Sequence, residues 1–375
     1  DRNMRQTNIN NHRDAWVEIN ISNLENNIKE IKKNVPQGVK LLGVVKADAY
    51  GHGAVMLAPT ILASGIDMLG VASIDEGVDL RQAKIDCDIL VLGAVPVWAI
   101  ESAVKNDISI AIFNNAHLKA CEQTFIRTGI KPKVHIKIDT GMNRIGVRAD
   151  EAIEFIKDVQ KAQYVNLQGI FTHLAAAEEL DKTKLQIAKW DSVINNIDTN
   201  GLILHILNTV GTICYDVPNS NMRRVGIALY GLYPDFPPDI DFYKPKLKQL
   251  ISLKGRIVNI HTVKDKEGVS YCHTYQAKGD RTIATVPLGY ADGIPRLLSN
   301  KITGTLNGVE VPQVGNITMD QMMFDITGVE ACAGDIITLL DDEKHSIDEW
   351  AKILHTINYE LTCRLKVRLP RVYTR

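Results

Sequence analysis

The chain has 375 residues, a length that suits about two domains and excludes a peptide or a small binding module. Hydrophobic residues make up 45% of it and charged residues 23%, close to the averages of soluble globular proteins, which excludes a disordered chain. Lysine and arginine (43) balance aspartate and glutamate (44), and no run of like charges marks a nucleic-acid or membrane surface. The expected partners are therefore small molecules, with no nucleic acid and no membrane contact.

The cysteines and the amino terminus bear on where the protein works. The six cysteines are widely spaced, without a C-x-x-C pair or a zinc-ligand spacing, so we interpret them as reduced thiols of a cytoplasmic protein and expect no metal. The longest apolar run, residues 89–100, contains Pro96 and is too short to cross a bilayer. Residues 1–13 are polar and without a pattern, and the chain begins without methionine, which is typical of a piece trimmed from a longer protein.

Short β-branched runs alternate with helical patterns from residue 40 to about 227. Eight β-α repeats of this kind favour a closed (β/α)8 TIM barrel over an open doubly wound sheet. Two capping boxes, at residues 22–25 and 73–76, predict helix starts. The predicted strands are Lys40 to Val45, Asp67 to Val71, Ile89 to Leu92, Ser109 to Phe113, Val134 to Asp139, Asn166 to Thr172, Leu202 to Leu207 and Met222 to Ile227.

The pattern changes after residue 238. Strands are predicted over residues 250–263, 282–286, 302–311, 322–326 and 335–340, separated by glycine and aspartate turns, and only residues 346–355 favour a helix. We therefore predict an α/β protein with three parts: a polar segment over 1–13, a barrel domain over 14–244 and a mostly β domain over 245–375.

The carboxyl ends of the strands are where barrels of this kind place their function. Lys46 follows the first predicted strand and leads into a loop that contains glycine. Apolar neighbours can bury its aliphatic stem, and burial lowers the pKa of an amine toward use as a base or nucleophile. The alternative is a surface lysine whose charged end reaches solvent.

Polar side chains also end three later strands. His135, Lys137 and Asp139 alternate along the fifth strand, so they share one face and point into the barrel together. This arrangement is either a structural ion-pair network or part of a functional site. His173 ends the sixth strand and His205 lies at the end of the seventh, and two histidines at successive strand ends favour the functional interpretation.

The last two strand ends fit a phosphate group. Barrels often bind phosphate after strands seven and eight through a small hydroxyl and backbone N–H groups, and Thr209 and Gly226 occupy these places. Arg224 can face a pyridine nitrogen. Together with Lys46, these groups fit pyridoxal 5'-phosphate (PLP) bound to the lysine as a Schiff base.

Six segments, in order along nearly the whole chain from Trp16 to Arg371, resemble motifs of bacterial alanine racemases, which are PLP enzymes of fold type III. These segments are VKADAYGHG (45–53), KIDTGMNRIG (137–146), RVGIALYG (224–231), PLGYADG (287–293), MDQ (319–321) and NYE (358–360). The resemblance implies an isomerase that interconverts L- and D-alanine and supplies D-amino acid for peptidoglycan.

The resemblance also implies a mechanism with two bases. Lys46, which carries PLP, acts in the family as the base on the D-face of the α-carbon, and Tyr290 of the partner subunit, supported by His173, is expected to act on the L-face. Arg224, with His205 behind it, is expected to bond the pyridine nitrogen and leave it unprotonated, which favours reprotonation over transamination.

Further residues are implied by the same resemblance. Arg144 is expected to contact the cofactor's phenolic oxygen and the substrate carboxylate, with a carbamylated Lys137 as its anionic partner. Met319 and Asp320 of the partner subunit are expected to line the substrate pocket, so the resemblance implies a homodimer with a shared active site. The residues expected around the phosphate are Tyr50, Asn208, Thr209, Gly226, Ile227 and Tyr359.

Four positions depart from the usual residues of this family. Thr209 stands in place of a serine, Asn143 and Cys272 in place of glycines, and Asn316 in place of an arginine near the substrate pocket. The lost positive charge leaves a second hypothesis open, an L-/D-serine racemase domain of a membrane-anchored vancomycin-resistance protein. Tyr359 favours alanine, because serine-preferring relatives tend to have a smaller polar residue there.

Two other classes of protein share this barrel. A PLP-binding carrier without racemase activity lacks the second domain and its base, so residues 245–375 and Tyr290 argue against it. An amino-acid decarboxylase of the same fold type places a glutamate opposite the pyridine nitrogen, so Arg224 argues against that class.

Overall fold

A computed structural model describes residues 5–6 and 12–375. Eight parallel strands each pair with the next one along the chain, and the eighth pairs with the first, which closes a barrel. The predicted (β/α)8 barrel is confirmed, because each strand begins and ends within two residues of its predicted bounds. The barrel strands are Lys40–Val44, Met68–Val71, Asp88–Ala94, Ser109–Ile112, Lys133–Asp139, Asn166–Phe171, Ile203–His205 and Met222–Val225.

Helices surround the barrel. Those formed by six or more residues are Ile21–Lys32, Ala54–Ala63, Ile74–Gln82, Ile100–Lys105, Asn115–Thr128, Ala149–Lys161, Leu180–Ile194 and Thr209–Cys214. The capping box predicted at residues 22–25 is wrong, because the helix already begins at Ile21, where the Asn20 side chain accepts a hydrogen bond from Asn23 N at 2.9 Å. An extended residue at the end of the preceding strand therefore supplies the cap.

A second sheet, of ten strands among the described residues, forms most of the remaining structure. Its strands are Arg5–Gln6, Ala15–Asn20, Ile251–Arg256, Asn259–Val263, Arg281–Val286, Thr303–Leu306, Val309–Val314, Met322–Asp325, Ile336–Leu340 and Arg371–Thr374. A separate ribbon pairs Gly268–Val269 with Tyr275–Gln276. Two helices, Ile347–Leu354 and Asn358–Thr362, pack beside the sheet, so the predicted mostly β character is confirmed.

Two of the predicted strands are pairs of strands. The run over 302–311 folds back on itself at Asn307 and Gly308, which both have positive φ, as the tight turn of a hairpin requires. The run over 250–263 likewise contains two strands, Ile251–Arg256 and Asn259–Val263. Sequence alternation continues through such short turns, so it cannot by itself locate them.

The strand Ala15–Asn20 lies at the start of the segment predicted as the barrel domain, residues 14–244. It pairs antiparallel with Ile251–Arg256 and parallel with Arg371–Thr374, so it belongs to the second sheet and the amino-terminal chain crosses between the domains. Most of the predicted segment 1–13 lies outside the described residues. In the part of the chain that the structure describes, no helix has the length and apolar character to cross a membrane.

Candidate active site

The carboxyl end of the barrel gathers the polar residues predicted from the strand ends. Lys46 lies two residues after the first barrel strand, and its side chain reaches solvent at the mouth of the barrel while its amine is partly buried. Burial of its amine lowers the pKa of Lys46, and the positive charge of Arg144 lowers it further. The predicted nucleophile or base therefore has an environment that favours its neutral form.

A chain of hydrogen bonds crosses the barrel interior at this end. Arg224 is 4% exposed, and its guanidinium donates to Thr172 O at 2.7 Å and lies 2.9 Å from His205 Nδ1. His205 Nε2 lies 3.0 Å from His135 Nδ1. Arginine is always a donor, so His205 Nδ1 must accept and its Nε2 must carry the proton. Burial lowers the pKa of both histidines, that of His135 to about 3, so both are neutral.

Lys137 is buried beside this chain. It is 3% exposed, and its Nζ lies 5.5 Å from the centre of the Phe171 ring, over which Arg224 also packs. Burial lowers the pKa of Lys137 to about 7, with the positive charges of Arg144 and Arg224 contributing. His135 and Lys137 are thus both buried inside the barrel, as the alternation along the fifth strand predicts. The alternative of a structural ion-pair network is not supported for His135, because its hydrogen-bond partner is a neutral histidine.

Asp139, the third member of that face, has a different task. Its Oδ1 accepts hydrogen bonds from Gly141 N and Asn143 N, both at 3.0 Å, and so shapes the loop that carries Arg144. Asn143 has a φ of 55°, a conformation that glycine adopts freely and asparagine tolerates. This explains how asparagine can occupy a position where the resembling family commonly has glycine.

The predicted phosphate residues converge on one side of the barrel mouth. Thr209 Oγ1 accepts a hydrogen bond from Gly226 N at 2.9 Å, which joins the seventh and eighth strand ends. A Cβ on Gly226 would lie 2.3 Å from the Tyr50 hydroxyl, so only glycine allows this approach. The Tyr359 ring lies 6.2 Å from the Tyr50 ring, and Asn208 caps the helix Thr209–Cys214.

Tyr290, Met319 and Asp320 lie together on the β-rich domain. Tyr290 N donates to Thr318 O and Ala291 N donates to Met319 O, both at 3.0 Å. Within one chain, none of the described hydrogen bonds, ion pairs or ring contacts joins this group to Lys46. Tyr290 is 39% exposed and Met319 is 53% exposed, so the group forms part of the domain's surface.

A buried carboxylate organises this surface group. Asp292 accepts two hydrogen bonds from Arg13, at 2.7 and 2.9 Å, one from Arg368 at 2.6 Å and one from Gly289 N at 2.9 Å. Arg368 also donates to Asp320 at 2.8 Å. Burial raises the pKa of Asp292, but the bonds from the two arginines outweigh burial and hold this pKa below its ordinary value.

The substitution Asp292→Asn should lower the free energy of unfolding by about 2 kcal/mol, because it removes the buried carboxylate that pairs with two partly exposed arginines. The folded-state pKa is lowered, so the stabilisation is present at neutral pH and is lost as the pH falls below 3.8, the ordinary value. Urea denaturation at neutral and acidic pH measures both effects. Asp280→Asn, which removes an exposed partner of Lys264, is the control, and an equal loss in both variants would contradict the prediction.

Sequence reasoning missed a second exposed tyrosine on the β-rich domain. Tyr271 is 70% exposed and lies between residues with positive φ, Ser270 at 65° and Cys272 at 63°. The Asn316 side-chain amide donates a hydrogen bond to Tyr271 O at 3.0 Å, and the backbone carbonyl of Asn316 accepts one from Ser270 Oγ at 2.6 Å. Strained backbone around an exposed polar ring is typical of functional sites. The sequence signal that could have identified Tyr271 was the Val-Ser-Tyr-Cys segment (269–272), where a cysteine stands in place of a glycine.

Comparison with known proteins agrees with this architecture. Residues 19–234 match the family model of the alanine racemase N-terminal domain, and residues 250–373 match that of the C-terminal domain. The chain belongs to the alanine racemase family. It is 38% identical to an alanine racemase of a Nostoc species, with 96% of this chain and 95% of the relative covered, and 38% identical to that of Methanococcus maripaludis, with 96% and 98% covered.

Solved structures of the family have the same fold. Alanine racemase from Clostridium difficile has a TM-score of 0.90 at 37% identity, with 96% of each chain covered. That from Bacillus anthracis with bound L-Ala-P has a TM-score of 0.87 at 35% identity, with 97% and 96% covered. A histidine racemase from Leuconostoc mesenteroides has a TM-score of 0.88 at 27% identity, with 97% and 99% covered. The protein is therefore an isomerase, an amino-acid racemase of the alanine racemase type.

Proposed function

We propose that the protein interconverts L- and D-alanine with PLP bound at the barrel mouth. The observation that carries this proposal is a cluster of cationic side chains, Lys46, Lys137, Arg144 and Arg224, in which burial and the neighbouring positive charges lower the pKa values of both lysines. Such a cluster fits an anionic cofactor and a substrate carboxylate.

The residues present fit PLP in particular. Arg224 is buried, and the hydrogen-bond partners described for it are neutral, so a ligand can supply the missing negative charge or acceptor. The Thr209 hydroxyl, the close approach at Gly226 and the Tyr50 hydroxyl form a cradle for a phosphate. Asn208, Ile227 and Tyr359 border this cradle.

PLP, when bound, makes the α-proton of an amino acid acidic enough to be removed. The protein then needs one proton-transfer group on each face of the α-carbon, because inversion takes a proton from one face and returns it to the other. We assign the D-face to Lys46, whose lowered pKa keeps part of its amine neutral and able to accept the proton. Lys46 is also the proposed point of covalent attachment of the cofactor.

Arg224 is proposed to bond the cofactor's pyridine nitrogen. Although burial lowers the pKa of Arg224 to about 9, the guanidinium keeps its charge at neutral pH and gives no proton to the ring. The neutral chain through His205 to His135 holds the guanidinium in place. This arrangement favours return of the proton to the α-carbon and disfavours transamination.

Arg144 and Lys137 are proposed to act as a pair on the substrate carboxylate and the cofactor's phenolic oxygen. The nitrogen of a neutral lysine amine adds to the carbon of carbon dioxide and releases one proton to solvent, which forms a carbamate and leaves an anion beside Arg144. The pKa of Lys137 is about 7, so its neutral fraction is large at and above neutral pH, and carbamylation becomes less favourable as the pH falls.

We predict that depletion of carbon dioxide at pH 7 to 8 lowers activity and that bicarbonate restores it. Carbon-13 NMR with labelled bicarbonate should show one carbamate signal that Lys137→Ala removes and that weakens below the lysine pKa of about 7. Lys131→Ala changes an exposed lysine just before the same strand and should retain the signal. A signal that persists in Lys137→Ala would place the carbamate elsewhere.

The second base is proposed to be a tyrosine of the partner subunit, because Tyr271 and Tyr290 are exposed on the β-rich domain and have no described contact with Lys46 of the same chain. The resemblance predicts Tyr290. Tyr290 is 39% exposed, and backbone hydrogen bonds join its turn to Thr318 and Met319. Both features are also typical of a structural residue. The more exposed phenol of Tyr271, on strained backbone, is better placed to reach across a dimer. His173, kept neutral by burial and by the charge of Arg224, is available to bond that phenol.

Alanine is the proposed substrate because the chain's named relatives are alanine racemases and because position 359, where the ring centre lies 6.2 Å from that of Tyr50, holds the bulky tyrosine rather than a small polar residue. Formation of the D-isomer from L-alanine and L-serine, each with added PLP, tests this proposal. A large preference for alanine supports a role in supplying D-alanine for peptidoglycan. Comparable turnover of serine would support the serine-racemase alternative, and no turnover of either would contradict the proposed function.

A further inference from the structure

The turn that follows Lys46 has an unusual handedness. The four residues from Ala47 to Tyr50 have φ values between 51° and 54°, and Gly51 continues with a φ of 83°. Left-handed conformations are unfavourable for residues with a Cβ and normally occur singly, so four in a row need support from their surroundings. The peptide that joins Lys46 to Ala47 is the start of this turn.

Glu76 supplies support at that peptide. Its Oε2 accepts a hydrogen bond from Ala47 N at 2.7 Å, and its Oε1 accepts one from Ala72 N at 2.6 Å. One carboxylate therefore joins the loop after the second barrel strand to the residue next to Lys46. Both are bonds to a charged acceptor, which are the stronger kind.

This use of Glu76 differs from the one its sequence motif predicts. In a capping box, the glutamate at N3 bonds back to the N–H of the cap residue, here Ser73. Ser73 Oγ does accept from Glu76 N, at 3.3 Å, but the Glu76 carboxylate bonds Ala72 N and Ala47 N instead. The helix cap alone does not explain the position of this side chain.

Other bonds hold the far end of the turn. Asp48 Oδ1 accepts from Ala54 N at 2.8 Å, and the Tyr373 hydroxyl donates to His52 O at 2.8 Å. Among the described side chains, Glu76 is the one that accepts a hydrogen bond from the amide adjacent to Lys46, Ala47 N. The negative charge of Glu76 also partly offsets the lowering of the Lys46 pKa by burial and by Arg144.

We propose that Glu76 is a positioning residue, which fixes the peptide after Lys46 in the left-handed turn and so holds the Lys46 amine at the barrel mouth. This inference rests on the proposed role of Lys46. Glutamine at position 76 keeps the shape of the side chain but replaces one acceptor oxygen by an N–H donor, which then faces a backbone N–H. The variant Glu76→Gln therefore removes the link and retains the packing.

Asp75→Asn is a matched control. Asp75 is exposed and lies in the first turn of the same helix, so both variants remove one negative charge from the positive end of the helix dipole. Of these two carboxylates, that of Glu76 is the one with a described hydrogen bond from Ala47 N. In the apoprotein, hydrogen exchange of residues 46–53 should be about tenfold faster in Glu76→Gln and unchanged in Asp75→Asn.

Two further readouts separate positioning from general stability. Borohydride trapping of PLP on Lys46 should be slower in Glu76→Gln, and kcat should fall about tenfold with little change in KM, because the effect acts on proton transfer. The primary isotope effect with deuterated D-alanine should rise, since Lys46 removes that proton.

Hydrogen exchange of residues 46–53 that is unchanged in Glu76→Gln, or equally faster in both variants, overturns the proposal. Faster exchange with normal trapping and kcat also overturns it. Failure of the wild-type protein to trap PLP on Lys46 would instead contradict the proposed function.

Discussion

Lys46→Ala should abolish racemisation in both directions and prevent covalent capture of PLP. Loss of a single acid-base group costs about a hundred- to ten-thousandfold in rate, and here the same residue also anchors the cofactor. The chain's own geometry supports the assignment, because Lys46 follows the first barrel strand and its pKa is lowered by burial and by Arg144. Borohydride reduction followed by peptide mapping measures attachment, and a coupled D-alanine assay measures the rate.

Lys40→Ala is the control for this variant, since Lys40 is exposed at the opposite end of the same strand. It should retain both cofactor attachment and activity. If PLP is still reduced onto the Lys46→Ala protein, the anchor is another lysine, and Lys137 is then the first to test because its pKa of about 7 also favours a neutral amine.

Tyr271→Phe should lower kcat by about a hundred- to ten-thousandfold, whereas Tyr290→Phe should lower it by less than about tenfold. Each change removes one hydroxyl and keeps the ring, so folding and dimer packing are largely preserved. The structure favours Tyr271 because it is the more exposed of the two tyrosines and is flanked by residues with positive φ.

The two tyrosine variants control for each other, because both change an exposed tyrosine of the β-rich domain. Absorbance of bound PLP should be unchanged in both, which separates loss of a base from loss of the cofactor. A large effect in Tyr290→Phe with a small one in Tyr271→Phe would contradict our assignment and restore the prediction made from the sequence.

The barrel was predictable because its signals are local. Each strand is a short β-branched run, and residues at or just after the ends of these runs, Lys46, Thr209 and Arg224 among them, lie at one end of a barrel by construction. Period-two alternation also placed His135 and Lys137 inside the barrel. What it could not show was the neutral chain from His135 through His205 to Arg224, which depends on pairing between distant strands.

The parts that could not be predicted depend on long-range pairing or on backbone conformation. The strand Ala15–Asn20 joins the second sheet through partners more than two hundred residues away, which no local pattern reveals. The strained loop around Tyr271 and the left-handed turn after Lys46 are conformations that the residue types disfavour, so propensity arguments miss both. Glu76 was found as a helix cap, but its bond to Ala47 crosses between two loops.

Mixing two inactive variants tests most directly whether two subunits share one active site. Lys46→Ala retains Tyr271, and Tyr271→Phe retains Lys46, so a hybrid dimer has one site with both groups and one site with neither. After exchange of subunits in an equal mixture, activity should rise from near zero to about a quarter of that of the wild-type protein, since half of the dimers are hybrids. Activity that stays near zero, while subunit exchange is shown by mass spectrometry, would contradict a site built from Lys46 of one chain and Tyr271 of the other.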